Sequence, residues 1–173
     1  MSLTRDVARP LYDRAIPPAD AREAFASGDV PVAVYGLGKM GLPLAAVYAA
    51  ETGRVVGVDI DPDVVDRVNR GECPVENEPR LPYMISETVE SGALRATTDA
   101  RAAAAEASVH VVIVPTLVDD EGSPDLSMLE AAVAEIGAGL SPGDMVIVES
   151  TVPPGTCREV VIPALEAESG LEF

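Results

Sequence analysis

The stretch Tyr35-Gly36-Leu37-Gly38-Lys39-Met40-Gly41-Leu42-Pro43 restricts the fold more than any other part of the chain. It is a G-x-G-x-x-G sequence set between two apolar runs of different character. Val30 to Tyr35 is short, β-branched and ended by glycine, whereas Leu42 to Ala50 is apolar nearly all round, as a helix buried against a sheet would be. The pattern predicts strand, tight turn, helix. In such a unit Gly36 permits the turn, Gly38 lets the backbone approach a pyrophosphate, and Gly41 lets helix and strand pack closely. The free N–H groups and the dipole of the helix then face the phosphates. Pro43 falls in the first helical turn, where a missing N–H is tolerated.

A second buried-strand pattern follows in Arg54-Val55-Val56-Gly57-Val58-Asp59, and it ends in a carboxylate 23 positions after Gly36. An acid at the end of the second strand accepts hydrogen bonds from the adenosine ribose hydroxyls and repels the 2′-phosphate of NADP. Asp59 therefore points to NAD. Its competing role is to cap the next helix, but Asp61 followed by Pro62 fits a cap with proline at N1 better.

The remaining chain reads as further α/β units. Val64, Val65 and Val68 share one face of a helix from Asp63 to Arg70, which Gly71 ends. The Pro- and acid-rich Glu72 to Pro79 is too polar for a core element and leads into a helix over about 80–91. A third strand, Leu94 to Thr97, precedes an Ala-rich helix from Asp99 to Ala107. Val109-His110-Val111-Val112-Ile113-Val114 is the strongest strand pattern in the chain. His110, the one histidine, reads as a packed or edge residue of that strand and not as a catalyst.

Beyond this strand, Pro115-Thr116 opens the polar stretch Asp119 to Asp125, and ligands in open α/β sheets bind near the switch between strands one and four. Thr116 would stand there. Asp125 or Ser127 caps a helix running to about Gly139, with Leu126, Leu129, Val133 and Ile136 at helical spacing. Asp144 to Val148 reads as the fifth strand, leading into Glu149-Ser150-Thr151-Val152-Pro153-Pro154-Gly155-Thr156. A last helix runs from Cys157 to about Ser169, and Leu171 to Phe173 could start a sixth strand. The expected architecture is a Rossmann-type doubly wound parallel sheet of five to six strands, order 3-2-1-4-5-6, with helices on both faces. Residues 1–29, broken by Pro10, Pro17 and Pro18, read as an N-terminal arm with a short helix over Ala19 to Ala26, and residues 30–173 as one NAD-binding domain.

Charge excludes whole classes of partner. The 29 acids against 12 bases give a net charge of −17, which argues against nucleic acid and anionic membrane surfaces. Eleven of the twelve bases are Arg, and the acids are spread along the chain, as on proteins of a salt-rich cytoplasm, where screening over about 3 Å at 1 M relieves self-repulsion. The single lysine, Lys39, lies inside the glycine loop. It either helps to hold phosphate or faces solvent. No apolar run approaches the roughly 18 residues of a membrane span, and the N-terminus lacks a signal-peptide pattern, so a cytoplasmic protein is expected. Cys73 and Cys157 show no metal-ligand spacing and read as free thiols, and no metal site is expected.

Taken in order, these segments resemble the NAD-binding domain of the UDP-glucose/GDP-mannose dehydrogenase family. Gly36 to Pro43 is similar to its G-x-G-x-x-G-L-P, and Gly57-Val58-Asp59 to its second strand end. Glu78-Pro79-x-Leu81 resembles its sugar-proximal E-P-x-L, Pro115-Thr116 its P-T-P, and Glu149 to Thr156 its S-T-x-P-x-G-T. The resemblance runs from about Pro31 to the C-terminus. Asp125-Leu126-Ser127 and Glu149-Ser150-Thr151 look most like the branch acting on UDP-N-acetyl-D-mannosamine, and Val64 stands where glucose-type members often carry Lys or Arg. Leu117 departs from the second proline of P-T-P, and Pro74 to Glu78 is one residue longer than the family's pattern.

The resemblance implies oxidation of a sugar C6 alcohol to a carboxylate in two hydride transfers to NAD, with a cysteine thiolate holding the aldehyde stage. It implies cofactor contacts from Gly36, Gly38, Lys39, Met40, Gly41, Asp59, Pro115, Thr116, Ser150 and Thr151, with Glu78 near the substrate. Thr151 would order the catalytic water. The family's nucleophilic Cys and its partners belong to later segments, and neither Cys73 nor Cys157 occupies a nucleophile's position. The chain is therefore expected to be truncated before the central helix and sugar-binding domain, to be inactive alone, and to belong to a protein that is a homodimer or larger. The alternatives are a UDP-glucose dehydrogenase, a β-hydroxyacid-type dehydrogenase, and an NAD-sensing module without chemistry.

Overall fold

In the computed structural model, residues 18–118 and 121–173 are described. The reading of the first seventeen residues as part of an arm, and any role for Asp119 and Asp120, lie outside them. Five strands form one parallel sheet: β1 (Val32–Tyr35), β2 (Val55–Val58), β3 (Leu94–Thr97), β4 (Val109–Val112) and β7 (Met145–Val148). Their order is β3-β2-β1-β4-β7, so the chain winds outward from β1 in both directions. Two short strands, β5 (Leu117–Val118) and β6 (Pro124–Asp125), pair antiparallel as a separate ribbon where the sequence pattern shows only loop. The sheet thus has five strands, within the expected five to six, and 171–173 carry no strand.

Period-two alternation explains the two cores. Val32, Val34, Val55, Val109 and Val111 point to one face, and α2 (Gly41–Thr52), α3 (Pro62–Asn69) and α4 (Leu81–Glu90) cover them with Leu42, Ala45, Ala49, Val65, Val68 and Ile85. Ala33, Tyr35, Val56, Val58 and Val112 point to the other, under α5 (Ala100–Glu106), α6 (Ser127–Gly137) and the C-terminal helix. Burial on both faces is why these strands read as continuous apolar runs. Central β1, β2 and β4 are buried throughout, whereas edge strand β7 is half-buried along its length. At the opposite edge Asn69 clasps β3, its Oδ1 accepting from the Ala96 N–H and its Nδ2 donating to the Ala96 carbonyl. That fills backbone positions a further strand would otherwise take.

Two helix ends differ from the sequence expectation. Asp125 does not occupy the N-cap of α6; its Oδ1 accepts the Ser127 N–H from two residues upstream, and no side chain caps the helix. The last helix opens as a π-helical turn, Cys157–Val161, before α7 (Ile162–Ser169), with the Ile162 N–H donating to the Cys157 carbonyl. Pro163 is the reason: it has no N–H for Glu159, and its ring would strike that carbonyl in a regular α-turn. Before β1, α1 (Pro18–Ala26) leans on α2 and sets Ala24 and Phe25 against the core. Among the described residues no helix is long and apolar enough to cross a membrane.

Candidate functional site

The glycine loop leaves β1 at the carboxyl edge of the sheet, and each glycine meets a different constraint. Gly36 has φ +97°, and a Cβ there would lie 2.7 Å from the Ile113 carbonyl oxygen. Gly41 opens α2 so close to the loop that its Cβ would fall 1.8 Å from the Gly36 oxygen. Gly38 has open space around it, with no heavy atom within 4 Å of where a Cβ would stand. Between them Leu37 turns inward, buried in the first core above Gly57, whose missing side chain makes the room. No side chain caps the N-terminus of α2, so its first N–H groups face whatever lies over the loop. Lys39 and Met40 are exposed there, Met40 by 69%.

Asp59 ends β2 beside this loop. Its Oδ2 accepts the Leu37 N–H at 2.7 Å and its Oδ1 the Asp61 N–H at 3.0 Å. These bonds fix the carboxylate against the loop while leaving about two of its four lone-pair sites for a diol. The cap of α3 is Asp61, which accepts from the Asp63 N–H at 2.9 Å. A cleft of about 560 Å³ opens over this edge, floored by Tyr35, Gly36, Val58, Val114 and Pro115, with Asp59 on its wall. It lies where β1 and β4 part, the position that strand order predicts for a ligand.

Of the residues singled out from the sequence, Gly36, Asp59 and Pro115 line this cleft. Gly38, Lys39, Met40 and Gly41 belong to the loop beside it. Thr116 follows Pro115, and its Oγ1 is buried without a hydrogen-bond partner. Ser150 ties the end of β7 to the same edge, its hydroxyl donating to the Val114 carbonyl at 2.8 Å. Thr151 next to it is exposed. Glu78 sits apart, half-buried in the loop before α4, where its carbonyl accepts the Leu81 N–H. Ile60, Asp99, Met128, Ala131 and Glu135, which no sequence motif marks, complete the cleft wall.

His110 lies beneath the site and is fully buried. Its Nδ1 is 3.1 Å from the Tyr35 hydroxyl, and its Nε2 is 3.6 Å from Asp144 Oδ2. A carboxylate only accepts, so it favours the tautomer with the proton on Nε2, and Nδ1 then accepts from the Tyr35 O–H. Burial first, and the Asp144 charge second, push the Tyr35 phenol well above its ordinary pKa and keep it neutral. The packed role expected for His110 is what the structure shows.

Residues 30–173 match the model of the UDP-glucose/GDP-mannose dehydrogenase family's NAD-binding domain. The chain belongs to this family. It is 40% identical over 129 residues to the UDP-N-acetyl-D-mannosamine dehydrogenase of Salmonella typhi, covering 75% of this chain and 30% of that protein. A GDP-mannose dehydrogenase structure from Pseudomonas aeruginosa superposes with a TM-score of 0.79 at 33% identity, covering 83% of this chain and 33% of that one. A UDP-glucose dehydrogenase from Pyrobaculum islandicum gives 0.77 at 34% identity, covering 83% and 34%. The chain thus spans about a third of the length of the relatives it matches, and it is their NAD-binding part. Family membership removes the β-hydroxyacid alternative. The residues suit the cofactor: the loop is open at Gly38, the α2 N-terminus is uncapped, and the buried Thr116 hydroxyl lacks a partner beside the cleft.

Proposed function

We propose that this domain holds NAD across the carboxyl edge of its sheet, with the adenosine ribose on Asp59 and the pyrophosphate over Gly36 to Gly41. The whole protein then oxidises the C6 alcohol of a UDP-sugar to the carboxylate, with UDP-N-acetylmannosamine as the favoured substrate. The carrying observation is the Asp59 carboxylate, fixed by the Leu37 and Asp61 N–H groups at the wall of the cleft and beside an uncapped helix. Its charge opposes a 2′-phosphate, which selects NAD over NADP. NAD, when bound, supplies the hydride acceptor for both oxidation stages.

The chain's own residues bind and orient. The α2 N–H groups and Lys39 hold the phosphates, Pro115 and the Thr116 hydroxyl meet the cofactor at the end of β4, and exposed Met40 covers the loop. Ser150 has its hydroxyl committed to Val114, which leaves Thr151 as the residue presenting a hydroxyl to water. Glu78 belongs with the sugar. The similarity to the Salmonella typhi enzyme and the Val64 position favour the mannosamine substrate, and the structural likeness to a UDP-glucose dehydrogenase keeps glucose as the second reading. The full protein is a cytoplasmic homodimer or larger assembly in this reading.

Titration of NAD and NADP into the 173-residue chain and its Asp59→Ala variant tests the cofactor assignment. NAD should bind more tightly than NADP, and the variant should lose about tenfold or more for NAD, the worth of a charged hydrogen bond. Equal wild-type affinities would refute the ribose role. The isolated domain should give no NADH with either UDP-sugar, because the reacting carbon lacks a fixed position, a factor of about 7–11 kcal/mol in a barrier. The full-length protein should give two NADH per UDP-N-acetylmannosamine.

A further inference from the structure

The cleft extends past the ribose position into a slot that the glycine motif does not describe. Ile60 follows Asp59 and is 88% exposed, a large apolar side chain left uncovered at the cleft wall. Across from the strand ends, α6 contributes Met128, Ala131, Ala132 and Glu135, spaced i, i+3, i+4 and i+7 and therefore one stripe of the helix. Ala100 at the start of α5 adds to the lining. Three apolar members of the stripe and Ile60 offer surface suited to a planar aromatic ring.

The polar side chains of this end are unequal. Asp99 has its Oδ1 committed to the Ala102 N–H, capping α5. Thr98 brings a hydroxyl, which both donates and accepts, whereas the Ser127 side chain is hydrogen-bonded to Asp125. Glu135 closes the stripe with a carboxylate, and no Lys, Arg or His lines the cleft among the described residues. A carboxylate accepts and never donates, so the ring edge that meets it must carry donor hydrogens. Among the purines, the N7 edge does when it bears a 6-amino group, and it presents only acceptors when it bears a 6-oxo group, whose N1–H lies on the other side of the oxygen.

We infer that Glu135 accepts a hydrogen bond from the 6-amino group of the cofactor's purine, so that the cleft selects adenine over a 6-oxo purine as well as NAD over NADP. The inference rests on the NAD reading above. It makes Glu135 a specificity-determining residue on α6, remote in sequence from the glycine loop and from Asp59. Glutamine at 135 would keep the side chain's length and accept from an amino group, but its amide could also donate to a carbonyl.

The test is calorimetric titration of NAD and of nicotinamide hypoxanthine dinucleotide, its 6-oxo analogue, into the wild type, Glu135→Gln and Asp99→Asn. The wild type should bind NAD about tenfold or more tightly than the analogue, the scale of one charged hydrogen bond replaced by two facing acceptors. Glu135→Gln should bring the two affinities close together while melting as the wild type does, since the residue is exposed. Asp99→Asn, which preserves the cap, should leave the ratio alone. Equal wild-type affinities, an unchanged ratio in Glu135→Gln, or a ratio lost in Asp99→Asn instead would each overturn the assignment. Failure of NAD itself to bind would bring down the cofactor reading, and this inference with it, whereas NAD binding without base preference would bring down only the role of Glu135.

Discussion

Alanine at two glycines of the loop should separate what folds the domain from what holds the ligand. At Gly41 the new Cβ would stand 1.8 Å from the Gly36 carbonyl oxygen and 2.8 Å from Ile113 Cγ2. A tolerable carbon–oxygen contact begins at about 3.3 Å, so loop and helix would have to part by roughly 1.5 Å. The obstacle is backbone and cannot swing aside. Overpacking of this kind costs about 1–3 kcal/mol, and replacing a helical glycine returns at most about 1 kcal/mol. A net loss of about 1–2 kcal/mol lowers the melting temperature by about 2–4 °C per kcal/mol in a chain of this size.

At Gly38 the sign reverses. Its backbone is not left-handed and nothing lies within 4 Å of an added methyl, so Gly38→Ala should stabilise by about 0.4–1 kcal/mol through the unfolded chain. The same methyl occupies the space in which a pyrophosphate would approach the backbone, and NAD affinity should fall by an order of magnitude. Thermal melts paired with NAD titrations read both effects. Gly41→Ala should lose stability and affinity together, Gly38→Ala affinity alone. Wild-type affinity in a stable Gly38→Ala protein would refute the phosphate role of the loop, and a Gly41→Ala protein melting at or above the wild type would refute the packing argument.

Two further outcomes are expected. Stability should rise with ionic strength from low to molar salt, because a net charge of −17 repels itself and screening shortens that repulsion to about 3 Å at 1 M; a melting temperature flat across the series would remove the salt argument. Tyr35→Phe deletes the donor to His110 Nδ1 inside the second core and should cost about 1–3 kcal/mol for the stranded acceptor, and an unchanged denaturant midpoint would show that the imidazole finds another partner.

Much of this architecture is legible in the sequence because its determinants are local. The loop, the Asp61-Pro62 helix start and the valine-rich strands each follow from a few adjacent residues whose backbone preferences agree, and the strand order is the one a doubly wound fold with that loop after its first strand takes. The π-turn at Cys157 is readable in principle from Pro163, but a proline near a helix start is ordinarily harmless, and only the length of helix preceding it makes the ring a problem.

What escapes the sequence depends on register. Ala33 pairs with His110 across β1 and β4, and a strand repeats its direction every two residues, so Tyr35 leans over the same face and reaches the imidazole. Neither residue says so alone. The α6 wall is hidden differently: Leu129, Val133 and Ile136 mark the face buried in the core, and a helix read for one apolar stripe assigns the rest to solvent. Met128, Ala131, Ala132 and Glu135 form a second stripe, which gains meaning only because the sheet order carries the end of β2, and with it Ile60, to the same cleft. A carboxylate at the end of such a stripe resembles any of the other surface acids until that wall stands beside it. The ribose reader at Asp59 can be found by counting from Gly36, but a base reader at Glu135 has no fixed spacing from the motif, because the helix that carries it arrives from the far side of the topological switch.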